Sequence, residues 1–313
     1  MGWADAIRNE LQHDFTGMVL FDEPAAAHAS IRAGGKIDAL VFPENMEELS
    51  AVLKFLRRRK LPFLPVGNWT NLIVRDGGFR GVFISLSRLR KLVLSYQKEE
   101  AFILAEAGCP LGELVKTAAE KSLSGMEFCA GIPGSVGGAI RMNAGAYGGE
   151  IKDIAEEIRI IALSGKISKV TREELKAQIN DYKFSYRNLA LPADSIIIAG
   201  MFRLRRGNTE DISIKIAEIL KARREKHPLE LPNAGSIFKN PADYPAGRLI
   251  EESGLKGSSI GDAQISEKHG NFIVNRGQAT AGQIIDLIKL IRESVFQKTG
   301  RTLETEVKIV GEL

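Results

Sequence analysis

Seven glycines fall within residues 131–149, and this cluster constrains the fold of the 313-residue chain more than any other feature. The segment reads GIPGSVGGAIRMNAGAYGG. Glycine tolerates positive φ and lets backbone amides approach a ligand closely. Successive amides that point inward form a nest for an anion such as phosphate. Tight turns between strands are the alternative, but the glycine density and the polar groups of Ser135, Arg141 and Asn143 favour a phosphate-binding segment.

The spacing of these glycines excludes two common nucleotide motifs. Gly131, Gly134 and Gly137 are three residues apart, so the segment lacks the Gly-x-Gly-x-x-Gly pattern of dinucleotide-binding folds. No Lys-Ser or Lys-Thr pair follows, which excludes a P-loop. An earlier loop, residues 67–71 (GNWTN), has similar chemistry. We therefore expect this loop to be a second clamp on the same phosphates, in a fold of another kind.

The composition indicates a folded chain of two or three lobes. Hydrophobic residues make up 44% of the chain and charged residues 26%, which excludes a disordered chain, a small disulfide scaffold and a fibrous repeat. The net charge of +4 does not argue for nucleic acid, but it suits an anionic small ligand. Cys109 and Cys129 form no disulfide framework, and the four scattered histidines have no metal-ligand spacing, so no metal site is predicted.

The sequence contains no targeting or membrane-spanning pattern. Its first residues lack the charged and apolar regions of a signal peptide. Its longest apolar run, residues 196–202, is too short to cross a bilayer. We expect a cytoplasmic protein with no membrane insertion and no nucleic-acid partner.

Hydrophobic periodicity and capping residues predict a mixture of helices and strands. The predicted helices cover 43–60, 110–124, a segment capped by Thr171, 209–226, 246–253 and a segment from Thr280 to Lys298. The predicted strands cover 61–66, 82–86, 157–163, 195–204 and 302–310. Because helices and strands do not alternate strictly, an α+β fold is favoured over a doubly wound sheet.

Several segments, taken in order, resemble one known family. The glycine segments 131–139 and 142–150 are similar to the flavin-binding segments of the UDP-N-acetylenolpyruvoylglucosamine reductase (MurB) family. The match continues in four further segments, 234–241 (AGSIFKNP), 246–257 (AGRLIEESGLKG), 265–275 (ISEKHGNFIVN) and 303–311 (LETEVKIVG). The resemblance extends from about Ile31 to Gly311.

The resemblance implies an α+β fold in which a two-lobed FAD-binding domain of the vanillyl-alcohol-oxidase type precedes a C-terminal α+β substrate domain. The implied boundaries are 1–90 and 91–206 for the two flavin lobes and 207–313 for the substrate domain. The family likeness also implies non-covalent FAD, NADPH as hydride donor and a monomer. The residues implied to contact FAD are Gly67, Asn68, Trp69, Thr70, Asn71, Gly131, Pro133, Gly134, Ser135, Gly137, Gly138, Ala139, Arg141, Asn143 and Gly145.

The implied reaction reduces the enolpyruvyl group of UDP-N-acetylglucosamine enolpyruvate to UDP-N-acetylmuramate, a step of peptidoglycan precursor synthesis. By resemblance, Arg187 binds the substrate carboxylate, Ser236 donates a proton and Glu306 is a catalytic glutamate. Alternation along the last predicted strand independently places Glu306 opposite the apolar face. The residues implied to contact the UDP-sugar are Tyr186, Lys226, Lys239, Asn240, Lys256 and His269.

Three departures from the family pattern bear on activity. Trp69 stands in a loop where the family usually has glycine. A bulky residue takes positive φ only with strain, so we expect either another loop shape or an indole that covers part of the cofactor. Leu189 replaces a serine close to Arg187, and Thr305 replaces a proline before Glu306.

Two other functions stay open at this point. One is an oxidase or dehydrogenase of the same flavin fold that acts on an alcohol or a hydroxy acid. It predicts no use for Ser236 and Glu306. The other is a flavin-binding paralogue without catalysis, and the altered loop at Trp69 is its only support.

Overall fold

The computed structural model describes residues 5–98, 100–178 and 182–313. Backbone contacts divide the chain into two units. The first comprises residues up to Leu20, Leu40–Asn68 and Val82–Lys221, and the second comprises Phe21–Ala39, Trp69–Gly81 and Ala222–Leu313. Each unit is therefore built from segments that are distant in the sequence.

Helices and strands are mixed along the whole described chain. The α-helices are α1 (Asp5–Asp14), α2 (Met46–Arg59), α3 (Leu111–Glu120), α4 (Val136–Arg141), α5 (Ile151–Ile154), α6 (Arg172–Ala177), α7 (Thr209–Lys226), α8 (Ala246–Glu252) and α9 (Ala281–Thr299). The strands are β1 (Met18–Pro24), β2 (Lys36–Phe42), β3 (Phe63–Val66), β4 (Leu72–Val74), β5 (Phe79–Ser85), β6 (Leu92–Gln97), β7 (Glu100–Glu106), β8 (Leu123–Ser124), β9 (Gly145–Ala146), β10 (Gly149–Glu150), β11 (Ala155–Ala162), β12 (Ile167–Thr171), β13 (Lys183–Ser185), β14 (Asn188–Ala190), β15 (Ser195–Arg206), β16 (Asn233–Ser236), β17 (Ser259–Ile260), β18 (Ala263–Ile265), β19 (Phe272–Asn275) and β20 (Lys308–Val310).

The main sheet of the first unit is antiparallel. Its strands run in the order β12-β11-β15-β7-β6, and β8 pairs with one end of β15. Helix α4 packs against β15, and the apolar core between sheet and helices includes the fully buried side chains of Phe202, Ile140 and Leu111. This core fixes α4, which forms the middle of the glycine-rich segment.

The second unit combines a small antiparallel sheet with a long helix. The strand order is β16-β19-β18-β17, and α9 packs on β17 and β18. The buried residues of α9 recur every three or four positions, as expected for a helix with one face on a core. In the same unit β20 pairs in parallel with β4, so that Lys308 lies opposite Leu72.

A further sheet has the strand order β1-β2-β5-β3. The boundary between the two units falls within β1, β2 and β5, so these strands belong partly to each unit. Strands β3 and β5 pair in parallel within the first unit.

Local capping signals predicted the helix starts well. Asn45 caps α2, and its side chain accepts a hydrogen bond of 2.8 Å from the backbone amide of Glu48. Thr171 and Thr280 each begin a helix with a reciprocal capping box. These predictions are confirmed because a cap is a contact within one turn of helix and needs no distant partner.

Predictions that depended on distant pairing were less accurate. The helix predicted over 110–124 ends at Glu120, because Leu123 and Ser124 form β8 and pair with β15. The strand predicted over 302–310 is limited to Lys308–Val310, and the residues before it make a single bridge from Thr305 to Phe238. Helix α1 and the strands β6 and β7 were not predicted from the sequence.

The described residues contain no helix that is long and apolar enough to cross a membrane. In the same part of the chain, no three histidine, cysteine or acidic side chains gather into a possible metal site.

Asp76 ties the start of α9 to the loop after β4. One carboxylate oxygen accepts a hydrogen bond of 2.9 Å from the amide of Ala281, and the other accepts one of 2.7 Å from Gly282. The first amides of a helix have no partner within the helix, and the helix dipole favours negative charge there. Asp76 therefore stabilises α9 from a position about two hundred residues earlier in the chain.

We expect Asp76→Ala to lower the free energy of unfolding by about 1–2 kcal/mol, because the first two backbone amides of α9 lose a charged hydrogen-bond acceptor. Urea denaturation followed by far-UV circular dichroism measures the change. Asp286→Ala is the matched control, since that side chain is exposed on the same helix and pairs only with Lys289 among the contacts described. Equal effects of the two substitutions would contradict the capping role.

Candidate active site

Close backbone packing positions the glycine-rich segment in the first unit. The amide of Val136 donates to the carbonyl of Cys109 at 2.9 Å, and that of Gly137 donates to Ala107 at 2.8 Å. A Cβ atom on Gly137 would lie 2.8 Å from the Cβ of Ala107. Gly137 is therefore required for packing, and its amide is used by the protein backbone.

Ser135 begins the short helix α4. Its hydroxyl accepts a hydrogen bond of 3.4 Å from the amide of Gly138, and its side chain is 2% exposed. A Cβ atom on Gly67 would lie only 2.1 Å from the same hydroxyl. The structure thus brings Gly67, from the first predicted phosphate loop, against Ser135 from the second.

These features fit a flavin pyrophosphate. Gly67 lies so close to Ser135 that a side chain at residue 67 could not be accommodated. Gly131 and Gly134 have positive φ angles of 71° and 131°. Residues 131–149 contain no carboxylate that would repel a phosphate. Such a glycine-lined, uncharged backbone surface is suited to an anion.

Trp69 adopts the backbone conformation that its size disfavours. Its φ is 54°, its side chain is 7% exposed, and its ring stacks on His28 with centroids 5.3 Å apart. The Nε2 atom of His28 lies 2.8 Å from a carboxylate oxygen of Glu23. Trp69 therefore takes the positive φ that its size disfavours, and both alternatives, another loop shape or an indole that covers part of the cofactor, stay predictions. The left-handed conformation costs about 1–2 kcal/mol, and ring stacking stabilises the residue that adopts it.

The contact of His28 with Trp69 was not foreseen from the sequence. The segment around it offered no motif, and its contact with Trp69 joins residues far apart in the sequence. The backbone amide and the hydroxyl of Ser30 each donate a hydrogen bond of 3.4 Å to the carbonyl oxygen of Trp69. Residues 28–30 therefore hold the loop at Trp69 through these two hydrogen bonds as well as through the ring stack.

The second unit brings together Asn71 and the segments that carry Ser236 and Glu306. The amide of Glu306 donates to the carbonyl of Ile237 at 2.8 Å. The side-chain amide of Asn71 donates to the carbonyl of Glu306 at 3.1 Å, and the amide of Lys308 donates to the carbonyl of Asn71. Two of the three predicted catalytic residues therefore belong to adjoining backbone segments. Both are partly exposed.

Lys239 and Asn240 follow Ser236 and have structural partners in the second unit. The ammonium of Lys239 pairs with Glu304, and its backbone amide donates to the carbonyl of Glu304 at 2.9 Å. The side-chain oxygen of Asn240 accepts a hydrogen bond of 3.0 Å from Ala246, the first residue of α8. The structure thus shows contacts of both side chains within the protein, and their contacts with substrate stay a prediction.

Two imidazole rings pack together in the second unit among cationic side chains. His227 and His269 lie 5.5 Å apart, and both rings contact Phe272. Burial and the neighbouring Arg223 lower the pKa of His227 to about 4. Burial, and then Lys256, lower the pKa of His269. Both rings are therefore neutral at pH 7. His227 was not predicted, because only its packing on His269 distinguishes it.

Two of the three lysines predicted to contact substrate lie near these rings. Lys226 ends α7 and is exposed, and it lowers the pKa of both imidazoles electrostatically. Lys256 is partly buried and its ammonium lies 2.9 Å from a carboxylate oxygen of Glu251. The positive charge of this region therefore comes from lysine and arginine, and the imidazoles offer hydrogen bonds.

Arg187 belongs to the first unit, where it sits in a two-residue turn between β13 and β14. Ser185 pairs with Asn188, which leaves Tyr186 and Arg187 as the turn residues. Arg187 has a φ of 55°, and its guanidinium lies 5.1 Å from the ring centroid of Tyr186. Leu189, which replaces the expected serine, is fully buried in the core.

The two cysteines are unsuited to covalent chemistry. Both are buried, and burial raises the pKa of Cys109 to about 11 and that of Cys129 still further. A thiol at such a pKa is protonated at pH 7 and is a weak nucleophile.

We expect His28→Ala to lower the free energy of unfolding by about 0.5–1.5 kcal/mol, through loss of the stack on Trp69. In a Trp3→Phe background Trp69 is the single tryptophan, because the chain has two. Its fluorescence emission should then shift to longer wavelength in His28→Ala as water reaches the indole. His13→Ala, at a histidine whose side chain is 88% exposed, is the control. Identical emission and stability for all three proteins would show that the stack has no effect.

Two family profiles match separate parts of the chain. The profile of a family described as FAD binding domain matches residues 37–171. The profile described as UDP-N-acetylenolpyruvoylglucosamine reductase, C-terminal domain, matches residues 227–310. The predicted α+β fold, with a FAD-binding domain followed by a C-terminal domain, is confirmed.

Similar proteins cover nearly the whole chain. A UDP-N-acetylenolpyruvoylglucosamine reductase of Syntrophus aciditrophicus is 50% identical over 98% of this chain and 96% of its own length. One of Caldanaerobacter subterraneus subsp. tengcongensis is 43% identical over 95% of each chain. The crystal structure of UDP-N-acetylenolpyruvylglucosamine reductase (MurB) from Thermus caldophilus superposes with a TM-score of 0.76 at 33% identity, over 94% of this chain and 98% of that one. On these grounds the chain belongs to the UDP-N-acetylenolpyruvoylglucosamine reductase family.

Proposed function

We propose that this protein reduces the enolpyruvyl group of UDP-N-acetylglucosamine enolpyruvate to UDP-N-acetylmuramate, with FAD bound non-covalently and NADPH as the hydride donor. One observation carries the proposal: 50% identity to a reductase over 98% of the chain. The flavin-domain match and the reductase-specific C-terminal match in one chain support it. Among the described residues, the partly exposed positions of Ser236 and Glu306 are consistent with it.

Three side chains would carry the chemistry on the substrate. Bound FAD supplies reversible acceptance and donation of hydride. With a hydride added to C3 of the enol ether, C2 would carry negative charge that spreads into the adjacent carboxylate. The guanidinium fork of Arg187 is suited to hold that carboxylate through two hydrogen bonds. Ser236 would deliver a proton to C2, and a protonated Glu306 would donate a hydrogen bond to the carboxylate.

The cationic region around His227 and His269 would hold the diphosphate of the nucleotide sugar. Lys226 and Lys256 supply charge there. The neutral imidazole of His269 can donate a hydrogen bond without repelling either lysine. A partly buried cation attracts phosphate more strongly than a fully solvated one.

Several further properties belong to the same proposal. The protein would act as a cytoplasmic monomer in peptidoglycan precursor synthesis, and thereby in cell-wall growth, cell shape and division. The division into flavin lobes 1–90 and 91–206 and a substrate domain 207–313 also stays a prediction. The contact-based units group the chain differently, because segments near residues 21–39 and 69–81 join the C-terminal part.

Purified protein tests the function directly. We expect a yellow preparation with a flavin spectrum and NADPH oxidation that depends on the enolpyruvyl substrate. Substrate-independent oxidation of NADPH or oxidation of an alcohol would favour the oxidase alternative. Flavin binding without turnover would favour the non-catalytic paralogue.

We expect Ser236→Ala to slow reoxidation of the reduced flavin by substrate at least about 100-fold, because the proton donor is lost. Reduction of the flavin by NADPH should stay within about twofold of the parent rate, since that step needs no proton at C2. Stopped-flow absorbance of the flavin resolves the two half-reactions. Ser259→Ala, at an exposed serine of the same unit, is the control. Equal loss in both half-reactions would exclude the proton-donor role.

We expect Glu306→Gln to retain the folded state and to slow the second half-reaction about 10-fold or more, because a neutral amide aligns the carboxylate less well than a protonated acid. Circular dichroism checks the fold, and single-turnover kinetics check the rate. Glu312→Gln, at an exposed glutamate near the end of the chain, is the control. An unchanged rate would make Glu306 a structural residue.

A further inference from the structure

We propose that Arg141 and Asn143 are positioning residues for Arg187: they hold the turn from which its guanidinium reaches the substrate carboxylate. This inference rests on the proposed function, in which Arg187 binds that carboxylate. It gives both residues a role other than the flavin contacts that the sequence suggested. The segment 183–190, made of β13, the turn and β14, is called the Arg187 hairpin below.

The Arg187 hairpin needs support from outside itself. Its two strands have three residues each and form a separate two-stranded sheet. An isolated two-stranded hairpin is at best marginally stable in water. The left-handed φ of 55° at Arg187 adds strain, because it favours glycine over a long side chain. The surrounding structure must therefore hold the turn in place.

Asn143 fastens the first strand of the hairpin. It is fully buried just after α4, and its side-chain amide donates to the carbonyl of Ser185 at 3.1 Å and to Glu150 at 3.0 Å. Its side-chain oxygen accepts a hydrogen bond of 3.0 Å from the amide of Lys152. One buried side chain thus joins three backbone segments, and both of its donors are used inside the protein.

Arg141 fastens the second strand. Its guanidinium donates to the side-chain oxygen of Asn188 at 2.7 Å and also to the backbone carbonyl of Leu189. Arg141 and Asn143 are two residues apart, and their partners Asn188 and Ser185 face each other across the hairpin. Residues at the end of α4 therefore bind both strands of the hairpin at Ser185 and Asn188, the pair that flanks the turn.

Glu150 adds charge to this arrangement. Burial alone would raise the pKa of Glu150, but hydrogen bonds from Lys152 and Asn143, with attraction from Lys152 and Arg187, hold that pKa below its ordinary value. The carboxylate is therefore ionised at neutral pH. Its attraction for Arg187 favours one orientation of the guanidinium, while its hydrogen-bonding partners keep the carboxylate itself in place.

This geometry also accounts for the departure at residue 189. The side chain of Leu189 is buried in the core, and its carbonyl is an anchor point for Arg141. The hairpin is thus held by apolar packing and by α4, without a hydroxyl next to Arg187.

Two substitutions remove the anchors separately. Asn143→Gly removes the side chain at a residue whose φ is 40°, which glycine adopts without strain. Arg141→Met keeps a long side chain and removes the guanidinium. Lys183→Met is the control, because Lys183 is exposed on the same hairpin. If one anchor variant fails to fold, the other tests the same inference.

We expect each anchor variant to weaken the substrate's apparent affinity in the second half-reaction about 10-fold or more, since small displacements of a binding group are costly. Reduction by NADPH, and the Kd of FAD for the apoprotein measured by fluorescence quenching, should change less than about twofold. Lys183→Met should match the parent protein in all three measurements. A comparable weakening of FAD binding would overturn the inference and favour the original flavin contacts.

A double-substitution cycle separates positioning from general damage. Arg187→Ala should itself weaken the substrate's apparent affinity, and adding Asn143→Gly should cause no further loss, because Asn143 acts through Arg187. Multiplying losses would show that Asn143 acts independently, and the positioning inference would be wrong although Arg187 keeps its role. Unchanged affinity in Arg187→Ala would instead refute the role of Arg187 in the proposed function, and the inference with it.

Discussion

Close approach of neighbouring residues to the backbone of Gly67 and Gly137 is the constraint that positions the glycine-rich segment of the first unit. Gly137 touches Ala107, and Gly67 touches Ser135, at distances that leave no room for a Cβ atom. These contacts place the start of α4, and the apolar core behind Ile140 fixes its other side. The glycines therefore have two roles. They form a surface suited to a phosphate, and they determine the position of α4.

The position of α4 then determines what its last turn can reach. From the sequence alone, Arg141 and Asn143 are predicted to contact FAD. In the structure they contact Asn188 and Ser185, which lie more than forty residues later in the chain. In the proposed function, a segment that resembles a flavin site would thus also position Arg187, because Arg141 and Asn143 at the end of α4 contact the hairpin that carries it.

The features that the sequence predicted depend on contacts between near neighbours in the chain. The features that it did not predict depend on contacts between residues far apart in the chain. Caps at Asn45, Thr171 and Thr280 involve neighbours three residues away, and all three were foreseen. The conformation of Trp69 depends on His28, and the end of α3 depends on the pairing of β8 with β15. No local pattern encodes such contacts. The roles of Ser236 and Glu306 came from resemblance alone, and the hydrogen bond between Glu306 and Ile237 is the long-range contact that no spacing could reveal.

The imidazole pair in the second unit has a consequence for how the protein responds to its surroundings. His227, with a pKa of about 4, does not change charge as the solution moves between weakly acid and weakly alkaline, and the lowered pKa of His269 favours its neutral ring at neutral pH. Protonation of these rings should consequently add little positive charge to this region near neutral pH, and attraction of an anion to the region should weaken as ionic strength rises.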